Sequence, residues 1–202
     1  MSSTSERIGM LGGTFDPIHE GHLAAAKAAV ECARLDRVLF VPTGQPAHRP
    51  PAAAAPEHRL EMTRLAIAGD GRFDVSDTEL RRAGASFTSD TLQELRALHP
   101  DSELFLILGW DAAQLFTTWH QPEKVRALAT IVVVARPGSG SPQPADLEAA
   151  GLEGDNVIVC LERTPDISAS AIRHDIKIGR PITGKVPPAV ERYIAAHHLY
   201  VE

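Results

Sequence analysis

The sequence predicts an α/β fold in which helices cover both faces of a parallel sheet. Short apolar runs of strand length alternate along the chain with segments of helical periodicity. The apolar runs are continuous, which suits parallel strands that are buried on both faces. With 202 residues the chain can bury a sizeable core in one domain. Alternating strands and helices favour right-handed crossovers, with ligands bound beyond the carboxyl ends of the strands.

The predicted elements follow from these patterns in order along the chain. Buried strands are predicted at residues 8–11, 38–41, 104–108, 131–135 and 157–161, and a more polar strand at 73–80. Helices are predicted at residues 21–34, 57–68, 90–98, 122–128, 168–178 and 188–198. The proline-rich segments 42–56 and 137–144 are predicted to be irregular loops. We therefore expect a single Rossmann-like domain over residues 1–202, with a C-terminal helical extension from about residue 165.

Composition and charge exclude several classes of protein. The net charge of −6 argues against a general nucleic-acid-binding surface, which is normally basic. No apolar run approaches the ~20 residues that span a bilayer, and residues 1–7 lack an apolar signal core. Cys32 and Cys160 belong to no metal-type or CxxC spacing, so we expect reduced thiols and a cytoplasmic protein. The sequence is compatible with a homodimer but does not fix the oligomeric state.

The segment GGTFDPIHEGH, residues 12–22, follows the first predicted strand and carries the strongest functional signal. Gly12 and Gly13 allow close approach to a ligand or positive φ, and an Asp-Pro turn precedes the helix. His19 lies at the predicted helix start and His22 in its first turn, so both can face one space. A helix N-terminus offers free N–H groups and a partial positive charge. Two imidazole donors at that end indicate a phosphate-binding site.

Two other interpretations of this segment stay open at this point. A Gly-Gly turn after a strand is commonly only structural, and two histidines three residues apart could bind a metal, although no third ligand is evident nearby. The segment is neither the GxGxxG pattern nor a P-loop. It closely resembles the GGTFDPxHxGH signature of bacterial nicotinate-nucleotide adenylyltransferases, within the HxGH nucleotidylyltransferase superfamily. HxGH by itself indicates only the superfamily.

Further segments along most of the chain resemble the same family. Residues 45–49 (QPAHR) resemble its PPHK loop, with Arg49 in the place of the basic residue that reaches phosphates, although a solvated loop is the alternative. Residues 86–91 (SFTSDT) resemble its SYTxxT segment, in which Ser86 and Thr88 offer donors to a nicotinate carboxylate; helix capping is the alternative. Residues 167–173 (ISASAIR) resemble its ISSTxIR segment, a second helix start with a charged clamp.

Gly109-Trp110-Asp111 resembles the family's GxD pattern, and Trp119 follows it. The resemblance places Asp111 on a ribose or near the metal and Trp119 against the nicotinate ring, although Trp119 could equally be a core aromatic. Trp110 is bulkier than the residue expected between glycine and aspartate.

The resemblance implies transfer of an adenylyl group from ATP, with Mg²⁺, to nicotinate mononucleotide. It implies three catalytic residues: His19, His22 and Arg173. It implies an ATP-binding set of Gly12, Gly13, Thr14, Phe15, Asp111, Ile167, Ser168 and Ser170. It implies a substrate-binding set of Arg49, Ser86, Thr88 and Trp119. The alternatives are a sister enzyme that uses nicotinamide mononucleotide or another phosphate acceptor, a nucleotide-binding module without turnover, and a purely structural protein.

Overall fold

A computed structural model describes residues 5–46, 51–135, 142–162 and 164–201. Its strands are β1 (Arg7–Gly13), β2 (Arg37–Pro42), β3 (Gln45–Pro46), β4 (Phe73–Val75), β5 (Ala85–Ser86), β6 (Glu103–Gly109), β7 (Thr130–Val134) and β8 (Val157–Cys160). Six of them form a parallel sheet in the order β4-β2-β1-β6-β7-β8, and β3 pairs with β5 separately. This is the doubly wound order of Rossmann-like folds, so the predicted fold class is confirmed.

Helices lie on both faces of this sheet. They are α1 (Glu20–Ala33), α2 (Pro56–Ile67), α3 (Thr78–Arg81), α4 (Thr88–Leu98), α5 (Trp110–Ala113), α6 (Pro122–Leu128), α7 (Pro144–Ala149), α8 (Ala169–Lys177) and α9 (Pro188–Ala196), with a 3₁₀ turn at Phe116–Thr118. Residues of α1, α2, α8 and α9 share one buried cluster, whereas those of α4, α5 and α6 share the other. The C-terminal helices thus pack on the same face as α1.

The two clusters explain why the predicted strands are continuous apolar runs. Along β2, Val38 and Phe40 point into the first cluster, whereas Leu39 and Val41 point into the second. Successive side chains of a strand point to opposite faces, so a sheet covered on both faces requires an apolar residue at every position.

The polar strand predicted at 73–80 is only partly correct. The strand ends at Val75, and residues Thr78–Arg81 form the one-turn helix α3. The last ladder bond runs from the amide of Ser76 to the carbonyl of Phe40, after which the amide of Leu80 turns back to the carbonyl of Asp77. The segment must turn there because it has reached the carboxyl edge of the sheet. The loop prediction for 42–56 was likewise wrong at β3, whose two residues pair with β5.

The expectation of reduced thiols is wrong in this structure, because Cys32 and Cys160 form a disulfide with Cα atoms 5.8 Å apart. The two cysteines are 128 residues apart in sequence. Helix α1 crosses the sheet and packs on β7 and β8, which brings its last turn to the end of β8. Spacing along the chain carries no information about such a contact. Among the described residues, no helix has both the length and the apolar character that crossing a membrane requires.

Candidate active site

A cavity of about 700 Å³ opens at the carboxyl ends of β1 and β6. This is the position where the strand order reverses, and where doubly wound sheets bind their ligands. The volume lies within the ~300–1,000 Å³ typical of ligand pockets. The turn after β1, the loop after β6 and the first turns of α1, α4 and α8 all line it. The predicted motifs therefore meet in one place, although they are far apart in sequence.

The turn after β1 depends on the conformation of Phe15. This residue has φ of 48°, in the left-handed region, and its ring is 1% exposed within the core. The ring folds back beneath Gly13, where a Cβ atom would lie 2.7 Å from Cε1 of Phe15. Gly13 must therefore be glycine, and any contact of Phe15 with a nucleotide is limited to its backbone. Gly12, Gly13 and Thr14 line the cavity and are partly or fully exposed.

His19 and His22 form the start of α1 together. His19 is the N-cap residue, and the two histidines make a reciprocal capping box in which the amide of His19 donates to Nδ1 of His22 at 3.2 Å. Their rings stack with centroids 3.7 Å apart, and the edge of Phe15 packs against His22. In a neutral His22 this bond assigns the ring proton to Nε2, as a donor. Both rings line the cavity, His19 buried and His22 half-buried.

Gly21 makes room for this arrangement. A Cβ atom at Gly21 would lie 3.0 Å from Nδ1 of His19 and 3.5 Å from the carbonyl oxygen of Pro165. The glycine of the HxGH tetrad therefore allows the His19 ring to lie over the helix start.

The ends of three helices give the cavity an anion-attracting field. The N-termini of α1, α4 and α8 all line it, through Gly21, Thr88 and Ser170 among others. Each helix N-terminus carries a partial positive charge and unpaired N–H groups. A chain with a net charge of −6 can thus present a local positive field to phosphates.

Arg173 reaches the cavity from α8. Its Nη1 donates to the carbonyl oxygen of Asp16 at 2.7 Å and lies 3.8 Å from the carboxylate of the same residue. This ion pair is not a surface salt bridge, because the Asp16 side chain is 5% exposed inside the motif. Ser168 caps α8, accepting from the amide of Ala171 at 3.2 Å, and Ser170 lines the cavity. Ile167 does not line it and packs against the first core cluster.

The residues expected to bind the acceptor line this same cavity, and we call the part of it that they form the acceptor end. Ser86, Thr88 and Trp119 all line it. The N-cap of α4 is Phe87, without a side-chain cap, so the capping alternative for the Ser/Thr segment is wrong. Trp119 also packs against the second core cluster, so it serves both interpretations. The rings of Phe87 and His120 lie 4.3 Å apart at the same end, a pair that sequence reasoning missed.

Glu79 is a further lining residue that the sequence did not reveal. It is 4% exposed, and its Oε1 accepts a hydrogen bond from Oγ1 of Thr91 at 2.8 Å. Burial raises the pKa of Glu79, which favours the neutral acid, while Thr91 and Ser86 oppose the shift. The backbone of Gly44 packs so closely that a Cβ atom there would lie 2.3 Å from the carbonyl oxygen of Glu79. The residue thus joins three segments at the acceptor end. Because it falls where a strand was predicted, no local signal marked it.

Arg59 was also missed, since a cation in a predicted helix normally faces solvent. It is 1% exposed, and its Nη1 donates to the carbonyl oxygen of Thr14 at 2.7 Å. Burial lowers the pKa of Arg59, and the nearby carboxylate of Asp16 opposes that shift. Arg59 therefore supports the turn after β1 from below.

Four sequence predictions remain, concerning Asp111, Trp110, Arg49 and the metal-site alternative. Asp111 follows the end of β6, is exposed and lines the cavity. Trp110 is 3% exposed and packs in the second cluster, so its bulk points away from the cavity. Arg49 lies outside the described residues. Within the described ranges, the His19–His22 pair belongs to no group of three or more side chains placed to hold a metal ion.

The chain is similar to proteins of known family over nearly its whole length. A family model described as "Cytidylyltransferase-like" matches residues 10–175. A Thermus thermophilus protein named "Probable nicotinate-nucleotide adenylyltransferase" is 49% identical over 194 residues, covering 96% of this chain and 99% of the relative. A Corynebacterium kroppenstedtii protein of the same name is 42% identical over 201 residues, covering 99% and 93%.

Solved structures show the same fold. The Plasmodium falciparum nicotinic acid mononucleotide adenylyltransferase complexed with NaAD superimposes with a TM-score of 0.79 at 20% identity, covering 96% of this chain and 97% of that chain. The same protein complexed with APC gives a TM-score of 0.77. At this identity the likeness concerns the fold alone.

Proposed function

This chain belongs to the nicotinate-nucleotide adenylyltransferase family, and from that membership we propose how its residues carry the reaction. It transfers an adenylyl group from ATP to nicotinate mononucleotide, giving nicotinate adenine dinucleotide and pyrophosphate. The observation that supports the residue roles is the position of the His19–His22 helix start. It lies at the switch point of the sheet and faces the same cavity as the start of α8.

The chemistry needs no nucleophile from the protein. A phosphate oxygen of nicotinate mononucleotide forms a bond to the α-phosphorus of ATP, and the bond from that phosphorus to the α,β-bridging oxygen breaks. The electron pair leaves with pyrophosphate. Positioning and charge stabilisation therefore supply the catalysis. ATP enters as its Mg²⁺ complex, in which the cation neutralises part of the triphosphate charge.

Each end of the cavity has a separate role in this proposal. The backbone of Gly12, Gly13 and Thr14 holds ATP, and His19 and His22 donate to phosphate oxygens as charge develops. Arg173 binds the β- and γ-phosphates, with Ser168 and Ser170 beside it at the helix start.

We assign two further nucleotide contacts, to Asp111 and to Arg49. Asp111 binds a ribose hydroxyl or the hydrated cation. Arg49, where the structure describes nothing, is assigned to phosphates by its sequence alone.

At the other end, Ser86 and Thr88 offer donors to the nicotinate carboxylate, and Trp119 offers an aromatic face to the pyridine ring. Hydroxyl and backbone N–H donors suit a carboxylate better than an amide, whose NH₂ group is itself a donor. The acceptor end therefore favours nicotinate mononucleotide over nicotinamide mononucleotide.

Pyrophosphate release tests the proposal directly. Purified protein is mixed with MgATP and either nicotinate mononucleotide or nicotinamide mononucleotide, with a third reaction lacking Mg²⁺. We expect release with nicotinate mononucleotide, much less with the amide, and none without the cation. Equal rates with the two acceptors would contradict the assignment of the acceptor end. Absence of release with either acceptor would indicate a binding module without turnover.

The role of His22 is tested by its alanine variant. We expect kcat to fall roughly 10²–10³-fold, as when one transition-state donor is lost, with the fold unchanged. His174→Ala, at an exposed position of α8, is the matched control and should keep wild-type kinetics. A His22→Ala variant within threefold of wild type removes His22 from the mechanism.

Two further points stay predictions. We propose that the protein acts in the cytoplasm, because the reaction consumes ATP. Trapping free thiols in freshly lysed cells would show whether the Cys32–Cys160 disulfide forms in that compartment. The homodimer is tested by light scattering on the purified protein.

A further inference from the structure

The carboxylate of Asp16 joins four separate parts of the molecule at the edge of the nucleotide site. It is 4% exposed and lies in the turn between β1 and α1. Its Oδ2 accepts from the amide of Ala53 at 2.7 Å, and its Oδ1 accepts from the amide of Ala54 at 3.0 Å. The hydroxyl of Tyr200 donates to the same Oδ1 at 2.8 Å. Three donors thus converge on one buried carboxylate, which desolvation alone would strongly disfavour.

Arg173 is held by the same residue. Its Nη1 donates to the carbonyl oxygen of Asp16 at 2.7 Å and lies 3.8 Å from Oδ2. The side chain of Arg173 is 34% exposed and lines the cavity. Asp16 therefore holds one nitrogen of the guanidinium while the side chain faces the space assigned to the triphosphate. A rotation of the Asp16 side chain would weaken the ion pair and alter the turn that carries the carbonyl.

Tyr200 reaches this carboxylate from the far end of the chain. It follows α9, has φ of 66°, and its hydrogen bond to Asp16 spans 184 residues. The ring packs against the first core cluster, which includes residues of α1 and α8. Burial, followed by the charge of Asp16, raises the pKa of Tyr200, so its hydroxyl stays a donor throughout the working pH range. The contact fixes which way the carboxylate faces.

We propose that Tyr200 is a positioning residue for ATP, whose hydroxyl orients the Asp16 carboxylate and, through it, the Arg173 guanidinium. The proposal rests on the assignment of Arg173 to the triphosphate. It predicts an effect on the nucleotide and not on the acceptor, because neither Asp16 nor Tyr200 contacts Ser86, Thr88 or Trp119 in the hydrogen bonds of the described chain. If Tyr200 were only structural, its substitution would change stability and leave the ratio of the KM for ATP to the KM for nicotinate mononucleotide unchanged.

The chain offers a matched pair of variants, because its two tyrosines each donate or share one side-chain hydrogen bond. Tyr200→Phe removes the hydroxyl at Asp16. Tyr193→Phe removes a hydroxyl that lies 3.0 Å from Nδ1 of His58, between α2 and α9. We expect Tyr200→Phe to raise the KM for ATP about tenfold, with the KM for nicotinate mononucleotide nearly unchanged, and to lower Tm by roughly 5 °C because the buried carboxylate loses one donor. Tyr193→Phe should leave both KM values at the wild-type level.

A double-mutant cycle with Arg173→Ala tests the route. If Tyr200 acts through Arg173, Tyr200→Phe should add no further increase in the ATP KM once Arg173 is absent. Additive effects would overturn the route, and an equal rise in both KM values, or a loss of Tm alone, would overturn the positioning role. If Arg173→Ala itself leaves ATP kinetics unchanged, the assignment of Arg173 has failed. If only Tyr200→Phe is silent, the inference has failed and that assignment stands.

Discussion

Replacing Gly21 with alanine tests whether the helix start sets the position of the His19 ring. The new Cβ atom would lie 3.0 Å from Nδ1 and 3.1 Å from Cε1 of His19. Carbon atoms pack favourably from about 3.5 Å, so the ring must move by roughly 0.4 Å. The Pro165 carbonyl, at 3.5 Å from the same Cβ, limits movement of the helix in the other direction.

Gly21→Ala has two opposing effects on stability, a gain in helix propensity and the cost of displacing the His19 ring. Only the displacement of the ring affects catalysis. Alanine is better than glycine inside a helix by about 0.5–1 kcal/mol. A side chain displaced from its rotamer costs about 0.5–1.5 kcal/mol. We therefore expect the free energy of unfolding to change by less than about 1 kcal/mol. A displacement of ~1 Å can cost ~10²-fold in rate, so a shift of roughly 0.4 Å should lower kcat about tenfold.

Urea unfolding and pyrophosphate release measure the two quantities on the same preparation. Gly69→Ala is the matched control, since a Cβ atom at that position meets nothing within 4 Å. It should leave kcat unchanged. A Gly21→Ala enzyme with wild-type kcat, or one destabilised by more than about 2 kcal/mol, would refute the reasoning, because the ring would then be positioned by something else or the crowding misjudged.

Three further predictions concern stability. Burial raises the pKa of Glu79 in the folded protein, so the contribution of Glu79 to stability is complete below pH 4.5 and is lost as pH rises through the folded pKa. The free energy of unfolding of Glu79→Gln should therefore rise relative to that of wild type as pH increases from about 4 to about 8, and a difference that stays constant over this range would contradict the prediction. The hydrogen bond from Arg72 lowers the pKa of Asp70 from 3.8 to about 2. Asp70→Asn should therefore lower the free energy of unfolding at pH 7, and this loss should disappear as pH falls from 3.8 to about 2 when unfolding is measured at a series of acid pH values. Removing the Cys32–Cys160 disulfide with Cys32→Ser should lower the free energy of unfolding by about 4 kcal/mol, measured in urea without reductant. Adding reductant should lower the free energy of unfolding of wild type to the value of the variant. A wild-type protein whose stability does not respond to reductant would exclude the disulfide in solution.

The predicted strands were correct where burial on both faces forces a continuous apolar run. Residues 73–80 show why the same reasoning failed nearby. Phe73 and Val75 alternate with polar residues as in a half-buried strand, and the apolar Leu80 extended the predicted strand to residue 80. Only Phe73–Val75 pairs with β2. The rest turns into α3, which buries Glu79 against Gly44 and Thr91. Those contacts lie in other segments, so a local pattern cannot contain them.

In the candidate site, too, local motifs were predicted correctly, whereas the orientation of single apolar side chains was not. The first turns of α1 and α8 were predicted in place, because HxGH and the ISASAIR segment carry their chemistry within a few residues. Phe15 and Ile167 were predicted to bind ATP. The ring of Phe15 lies in the core, and the half-buried side chain of Ile167 packs against the first core cluster. Whether an apolar residue beside a motif faces the ligand or the interior depends on the backbone turn, which residue types alone did not fix.

The sequence by itself determined the α/β class, the order of most elements and the place of the HxGH motif, since periodicity and local motifs express interactions between residues that are neighbours along the chain. Only the tertiary structure decided that Asp16 meets Tyr200, that Arg59 supports Thr14 and that Cys32 meets Cys160. These contacts depend on how the helices cross the sheet. That geometry follows from packing the whole core at once and is not written in any one segment.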